Sequence, residues 1–131
     1  MDFSIPEELR SLQELVGEFV EKRVEPLTQK IEEEDRIPDE LMREAADLGL
    51  FGLSIPEEYG GLGLGVLGRA LVYEVLGRTS HGFASVLGAH TGIGSTGIID
   101  LAGEHLKRKY LPDMAAGRRL AAFALTEPQA G

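Results

Sequence analysis

Leu9, Leu12, Leu15, Val16, Phe19, Val20 and Val24 recur at steps of three and four, the spacing of one helical face. Pro6 costs little in a first helical turn, and Ser4 stands where a cap is expected. Pro26 predicts a break or kink, beyond which Leu27 and Ile31 can extend the same face. Pro38 opens a second helix that turns Leu41, Met42, Ala45, Ala46 and Leu48 inward and stops at Gly49. The stretch 51–64, FGLSIPEEYGGLGL, reads as loop, punctuated by Pro56 and paired glycines. A third helix is predicted over 66–78, a fourth over 83–101 and a fifth over 104–114. The fourth is nearly free of charge, which predicts that it is the buried centre of a bundle. Residues 120–126 form a short apolar run bounded by a turn, which predicts a strand. The expected fold is all-α: a helical bundle of about five helices with a short C-terminal strand.

Composition narrows what such a bundle can do. The chain has 131 residues, 43% hydrophobic and 27% charged, which is enough for one domain with a real core. It has no cysteine, so disulfides, thiolate nucleophiles and zinc–thiolate sites are excluded together. The formal charge is −9, from 22 acidic and 13 basic residues, which argues against nucleic acid as a partner. No apolar run approaches a membrane span, and MDFSIPEELR lacks the pattern of a signal peptide. A cytoplasmic domain is expected. Residues 1–47 hold 15 acids and 6 bases and so carry the whole excess, whereas 48–131 hold 7 of each. That asymmetry predicts a solvated helical start and a more tightly packed remainder.

Most candidate chemistry has a plainer structural reading beside it. Gly63, Gly65 and Gly68 match GxGxxG, but a turn precedes them where a dinucleotide fingerprint needs a strand. His81, His90 and His105 have no metal-ligand spacing. His90 stands out because it lies in the uncharged fourth helix, where a hydrogen-bonded core histidine is the ordinary outcome. Glu32–Asp35 and Lys107–Lys109 read as solvated surface. Gly82, Gly88, Gly92, Gly94 and Gly97 each cost the fourth helix about 1 kcal/mol relative to alanine. They imply either close helix approach or room for an extended ligand, and the sequence leaves both open. No nucleophile–base pair or paired-carboxylate constellation stands out, so no catalytic residue is assigned.

Three segments carry a resemblance. IPEEYGG over 55–61 with the Leu-Gly that follows, KYLP over 109–112, and FALTEPQAG over 123–131 resemble, in order and spacing, the N-terminal part of an acyl-CoA dehydrogenase. LGAHTGIG over 87–94 is similar to the very-long-chain branch. The resemblance implies an FAD-dependent α,β-dehydrogenation of acyl-CoA thioesters, with electrons leaving to an electron-transfer acceptor and a homo-oligomeric enzyme. It implies that 1–119 is the N-terminal helical domain and that 120–131 starts the middle β-domain. Phe123, Leu125, Thr126 and Gly131 would then meet the flavin, where a reduced ring gathers negative charge and needs N–H and hydroxyl donors. Val86, Ala89, His90 and Ile93 would line the acyl pocket.

The family's catalytic Glu lies in a C-terminal bundle outside these residues. The chain is expected to be about a third of the enzyme and inactive alone. The rival readings are a non-catalytic helical module that binds an acyl chain or a protein, and a related flavin oxidase or monooxygenase domain.

Overall fold

The structure, a computed structural model, describes residues 4–130. Its α-helices are α1 (Glu7–Phe19), α2 (Thr28–Glu34), α3 (Asp39–Asp47), α4 (Val66–Leu76), α5 (His81–Ala89), α6 (Ser95–Leu101) and α7 (Glu104–Ala115). α1 runs into α2 through a π turn at Val20–Val24 and a 3-10 turn at Glu25–Leu27. α5 runs into α6 through a π turn at His90–Gly94. Five helical rods result, as the periodicity predicts.

Local chemistry explains the joints. Pro26 has no N–H to continue the α ladder, and the chain answers with the wider and narrower turns around it rather than a break. Pro38 precedes α3, and Gly49 ends its exit turn at φ +75°. Ser80 caps α5 by accepting the Phe83 N–H at 3.3 Å, so this helix starts two residues before the predicted position.

The main core joins α1, α3 and α4 to α5 through Val16, Phe19, Leu41, Val72, Leu76, Phe83 and Leu87. Phe19 and Phe83 meet with ring centroids 6.1 Å apart. A second cluster, of Ile55, Tyr59, Leu111, Met114 and Ala115, packs the 51–64 segment on α7.

One expectation holds with an addition, and two are corrected. The 51–64 segment is a loop by conformation but part of the core by burial, with Phe51, Leu53 and Ile55 sealed inside. Its backbone closes on itself, Leu62 N–H to Gly52 O at 2.8 Å and Leu64 N–H to Leu53 O at 2.7 Å, which is what lets it be buried. α5–α6 is not the most buried rod; α4 holds that place, with Gly68, Leu71, Val72, Val75 and Leu76 inside. The lack of charge on α5–α6 reflects one packed side and one side of exposed apolar residues, Ile93 and Leu101. Finally, the strand expected over 120–126 is not formed. Among the described residues there is no sheet for it to join, and the only β pairing is an isolated bridge between Glu127 and Ala130.

Candidate functional site

The predicted site residues gather around the π turn at His90–Gly94 and the segment that passes it. Val86 and Ala89 stand at i and i+3 on α5 and so share one face of it, whereas Ile93 lies in the π turn, beyond α5 and next to a kink at Gly92 (φ −96°, ψ −109°). Val86 lines a hollow of about 210 Å³ with Ile31, Ile37 and Gly82, where α2 and its exit turn meet α5. Ala89 is half-buried and Ile93 is exposed. Gly92 and Gly97 have open space beside their backbone, so close approach does not explain them. Gly94 serves close approach: an added Cβ there would lie 2.8 Å from the Ala121 Cβ.

His90 points the other way. It is fully buried, against the edge of Phe51 at 5.3 Å between ring centroids. Its hydrogen bonds fix its tautomer. The Ala121 N–H can only donate, and it lies 2.9 Å from Nδ1, so Nδ1 accepts and the proton sits on Nε2. Nε2–H is shared between the carbonyl oxygens of Phe51 and Met114, both at 3.1 Å. One neutral imidazole thus ties together the π turn, the buried loop, the end of α7 and the passing segment. Burial pushes its pKa below the ordinary 6.5, against the two carbonyl bonds, which raise it. With no exposed surface in this chain, His90 has nothing to offer an acyl groove; it holds, whereas Ile93 is exposed and Val86 and Ala89 are half-buried.

A hydroxyl belt that the sequence did not reveal completes the turn. Thr91 donates to Leu87 O at 2.9 Å, Tyr73 shares that carbonyl and bonds Thr91, and Ser54 donates to Thr91 O. These hydroxyls add side-chain bonds to the carbonyls of Leu87, which also accepts the His90 backbone N–H, and Thr91. Isolated Ser, Thr and Tyr residues give no periodic signal, which is why pattern reading passes over them. At Gly63, Gly65 and Gly68 the structure shows a loop leading into α4, with Gly65 as its first cap and a 3-10 turn, not a strand, upstream.

Past Ala121 the chain is exposed and without regular secondary structure to Thr126. Phe123 is 58% and Leu125 73% exposed. No hydrogen bond within the described residues occupies the N–H groups of 122–126 or the Thr126 hydroxyl. Leu125 and Thr126 border a hollow of about 380 Å³ with Glu127 and Ala130. Gly131, the last expected flavin contact, lies outside the described residues.

The acyl-CoA dehydrogenase N-terminal domain model matches residues 6–118. The chain belongs to the acyl-CoA dehydrogenase family. An acyl-CoA dehydrogenase of Bacillus subtilis (strain 168) is 34% identical over 127 residues, covering 97% of this chain and 34% of that protein. The very long-chain specific enzyme of Mus musculus mitochondria is 39% identical over 128 residues, covering 95% of this chain and 19% of its own. The crystal structure of an acyl-CoA dehydrogenase complexed with FAD from Bacillus anthracis superposes with a TM-score of 0.86 at 39% identity, covering 98% of this chain and 22% of that one. The chain therefore spans about a third or less of the length of these relatives. Its helical bundle is the acyl-CoA dehydrogenase N-terminal fold.

Proposed function

We propose that the protein is an FAD-dependent acyl-CoA dehydrogenase, and that these residues form one wall of its acyl pocket and one edge of its flavin site. In this reading 1–119 is the helical domain and 120–131 begins the neighbouring β-domain. The observation that carries it is the segment 122–126: N–H groups and a hydroxyl with no hydrogen bond among the described residues, and large apolar side chains presented to solvent directly after the family's helical domain. Those groups suit a flavin, whose ring has an apolar face and an acceptor-rich edge. Phe123 and Leu125 would cover the ring, while the Thr126 hydroxyl and nearby N–H groups would meet its electron-rich edge. FAD supplies the acceptor for the hydride that leaves the substrate's β-carbon. The chain's own part is to orient that ring, exclude water from it and offer donors where charge collects.

The acyl chain would lie along Val86, Ala89 and Ile93. The acidic, cysteine-free composition supports a cytoplasmic location, and the family resemblance supports a homo-oligomer that hands electrons to an electron-transfer acceptor. No helix among the described residues is long and apolar enough to cross a membrane.

Protein expressed from the complete gene should carry flavin absorbance and oxidise acyl-CoA in the presence of an artificial electron acceptor. Colourless protein without turnover would count against the reading. Ala89→Phe should shift the preferred acyl length downward, since each methylene it displaces forfeits about 0.8 kcal/mol of burial. An unchanged length profile would place Ala89 off the groove.

A further inference from the structure

We propose that His90 is a positioning residue for the flavin site, a latch that fixes the start of segment 122–126 through the Ala121 N–H without touching the cofactor. The proposal rests on the flavin reading of that segment and adds to it the element that sets the segment's place.

Two independent features converge on Ala121. One is the hydrogen bond from its N–H to His90 Nδ1, at 2.9 Å. The other is the bare backbone of Gly94, on which the Ala121 side chain sits so closely that a Cβ would be 2.8 Å away. Both partners come from the same π turn. The turn therefore provides an acceptor and a seat for one residue of the passing chain. Ala121 also packs against the cluster of Ile55, Tyr59, Leu111 and Met114. Beyond it, no hydrogen bond within the described residues restrains the backbone until Glu127 and Ala130 pair. The start of segment 122–126 is thus fixed at Ala121.

The two ring nitrogens of His90 have separable tasks. Nε2 holds the loop and α7 through Phe51 O and Met114 O; Nδ1 holds the passing segment. Two substitutions divide them. An asparagine Oδ1 superposes on Nδ1 and keeps the acceptor, whereas a glutamine Nε2 superposes on the ring Nε2 and keeps the donor. His90→Gln should retain the fold and release the segment. His90→Asn should weaken the loop–α7 contact and keep the segment in place.

The measurement is hydrogen–deuterium exchange of peptides spanning 118–126, followed in parallel with FAD dissociation from the complete protein. His90→Gln should speed exchange at Ala121 about tenfold while peptides of α1 and α4 stay as protected as before, and FAD should bind about tenfold more weakly, the size of one buried hydrogen bond. His90→Asn should restore slow exchange at Ala121, which a merely structural histidine would not do. Should His90→Gln fail to fold, Ala121→Pro decides, since it removes the donor and leaves the imidazole with its two carbonyl partners. Unchanged exchange at 118–126 in the folded Gln or Pro variant overturns the latch. Fast exchange with unchanged FAD affinity overturns the role of His90 at the flavin site, whereas the flavin reading of 122–126 falls separately if the unsubstituted complete protein binds no FAD.

Discussion

Adjacent glycines in the 51–64 loop are needed for different reasons. Gly60 adopts φ +85° with open space around it, so its demand is conformational. Gly61 has a Cβ direction that runs within 2.0 Å of the Ile55 carbonyl oxygen, so its demand is room, and the obstructing atom is backbone. Gly60→Ala should cost about 1 kcal/mol, the penalty of a left-handed alanine. Gly61→Ala should cost about 3 kcal/mol or more, because the loop that seals Phe51 and Ile55 must open to admit the methyl. Chemical denaturation of the two variants should separate them clearly, and equal losses would refute the distinction. In the sequence both glycines read simply as turn punctuation. Which of them needs an angle and which needs space depends on where residue 55 lies, and no local pattern contains that.

At the scale of elements, helix existence was legible and helix context was not. The three-and-four spacing located every rod, and Pro38 and Gly49 bounded α3 as their chemistry requires. The burial ranking of α4 and α5–α6 was misjudged, because an uncharged surface covers apolar skin as readily as core. The expected strand failed for a related reason. Alternating apolar residues such as Phe123 and Leu125 favour an extended chain, but a strand needs a neighbour to bond, and the helical domain offers none. Of the candidate site, helix geometry puts Val86 and Ala89 on one face of α5, whereas the kink at Gly92 that sets Ile93 apart and the contacts of His90 with three residues distant in sequence leave no local pattern.

The cap of α5 belongs to this scale too. Ser80 is buried, accepts from Phe83 N–H and donates to Glu32 Oε1 at 2.8 Å, joining α5 to the end of α2. Ser80→Ala should lower stability by about 1 kcal/mol or somewhat more, with increased amide exchange confined to the first turn of α5. Ser80→Asp would keep the cap acceptor but face Glu32 with like charge, so it should not rescue the loss.

Across the whole molecule, acid stability should bear the mark of one residue. Above pH 6.5, the ordinary value for histidine, His90 is neutral folded or unfolded and its linkage contributes no pH slope. Its folded pKa is depressed. Below pH 6.5 the unfolded chain therefore takes up a proton that the folded chain refuses, and stability falls by up to about 1.4 kcal/mol per pH unit until the folded imidazole protonates. Charging Nδ1 would also set its new N–H against that of Ala121. No charged side chain enters the balance at His90, which is burial against two carbonyl bonds. Glu18, Glu44 and Asp113 are held below the usual carboxylate range by hydrogen bonds to Lys22, Arg23 and Arg118. Their contributions are lost only as pH falls below about 4.5. Unfolding curves from pH 7 to 5 should slope in the native protein and flatten in His90→Gln; an equal slope in both would assign the effect elsewhere.

The anchoring of the passing segment at Ala121 also has a consequence in time. The turn before it is closed by Arg118 and Arg119 N–H groups on Asp113 O, at 2.9 and 3.2 Å. Among the described residues, the five from 122 to 126 make no backbone hydrogen bond before Glu127 pairs with Ala130. A run of five residues pinned at Ala121 adjusts in well under a microsecond. The segment therefore meets an arriving ligand faster than ligands arrive. Association should be limited by diffusion of the small molecule, and the grip of the segment should show in how slowly that molecule leaves.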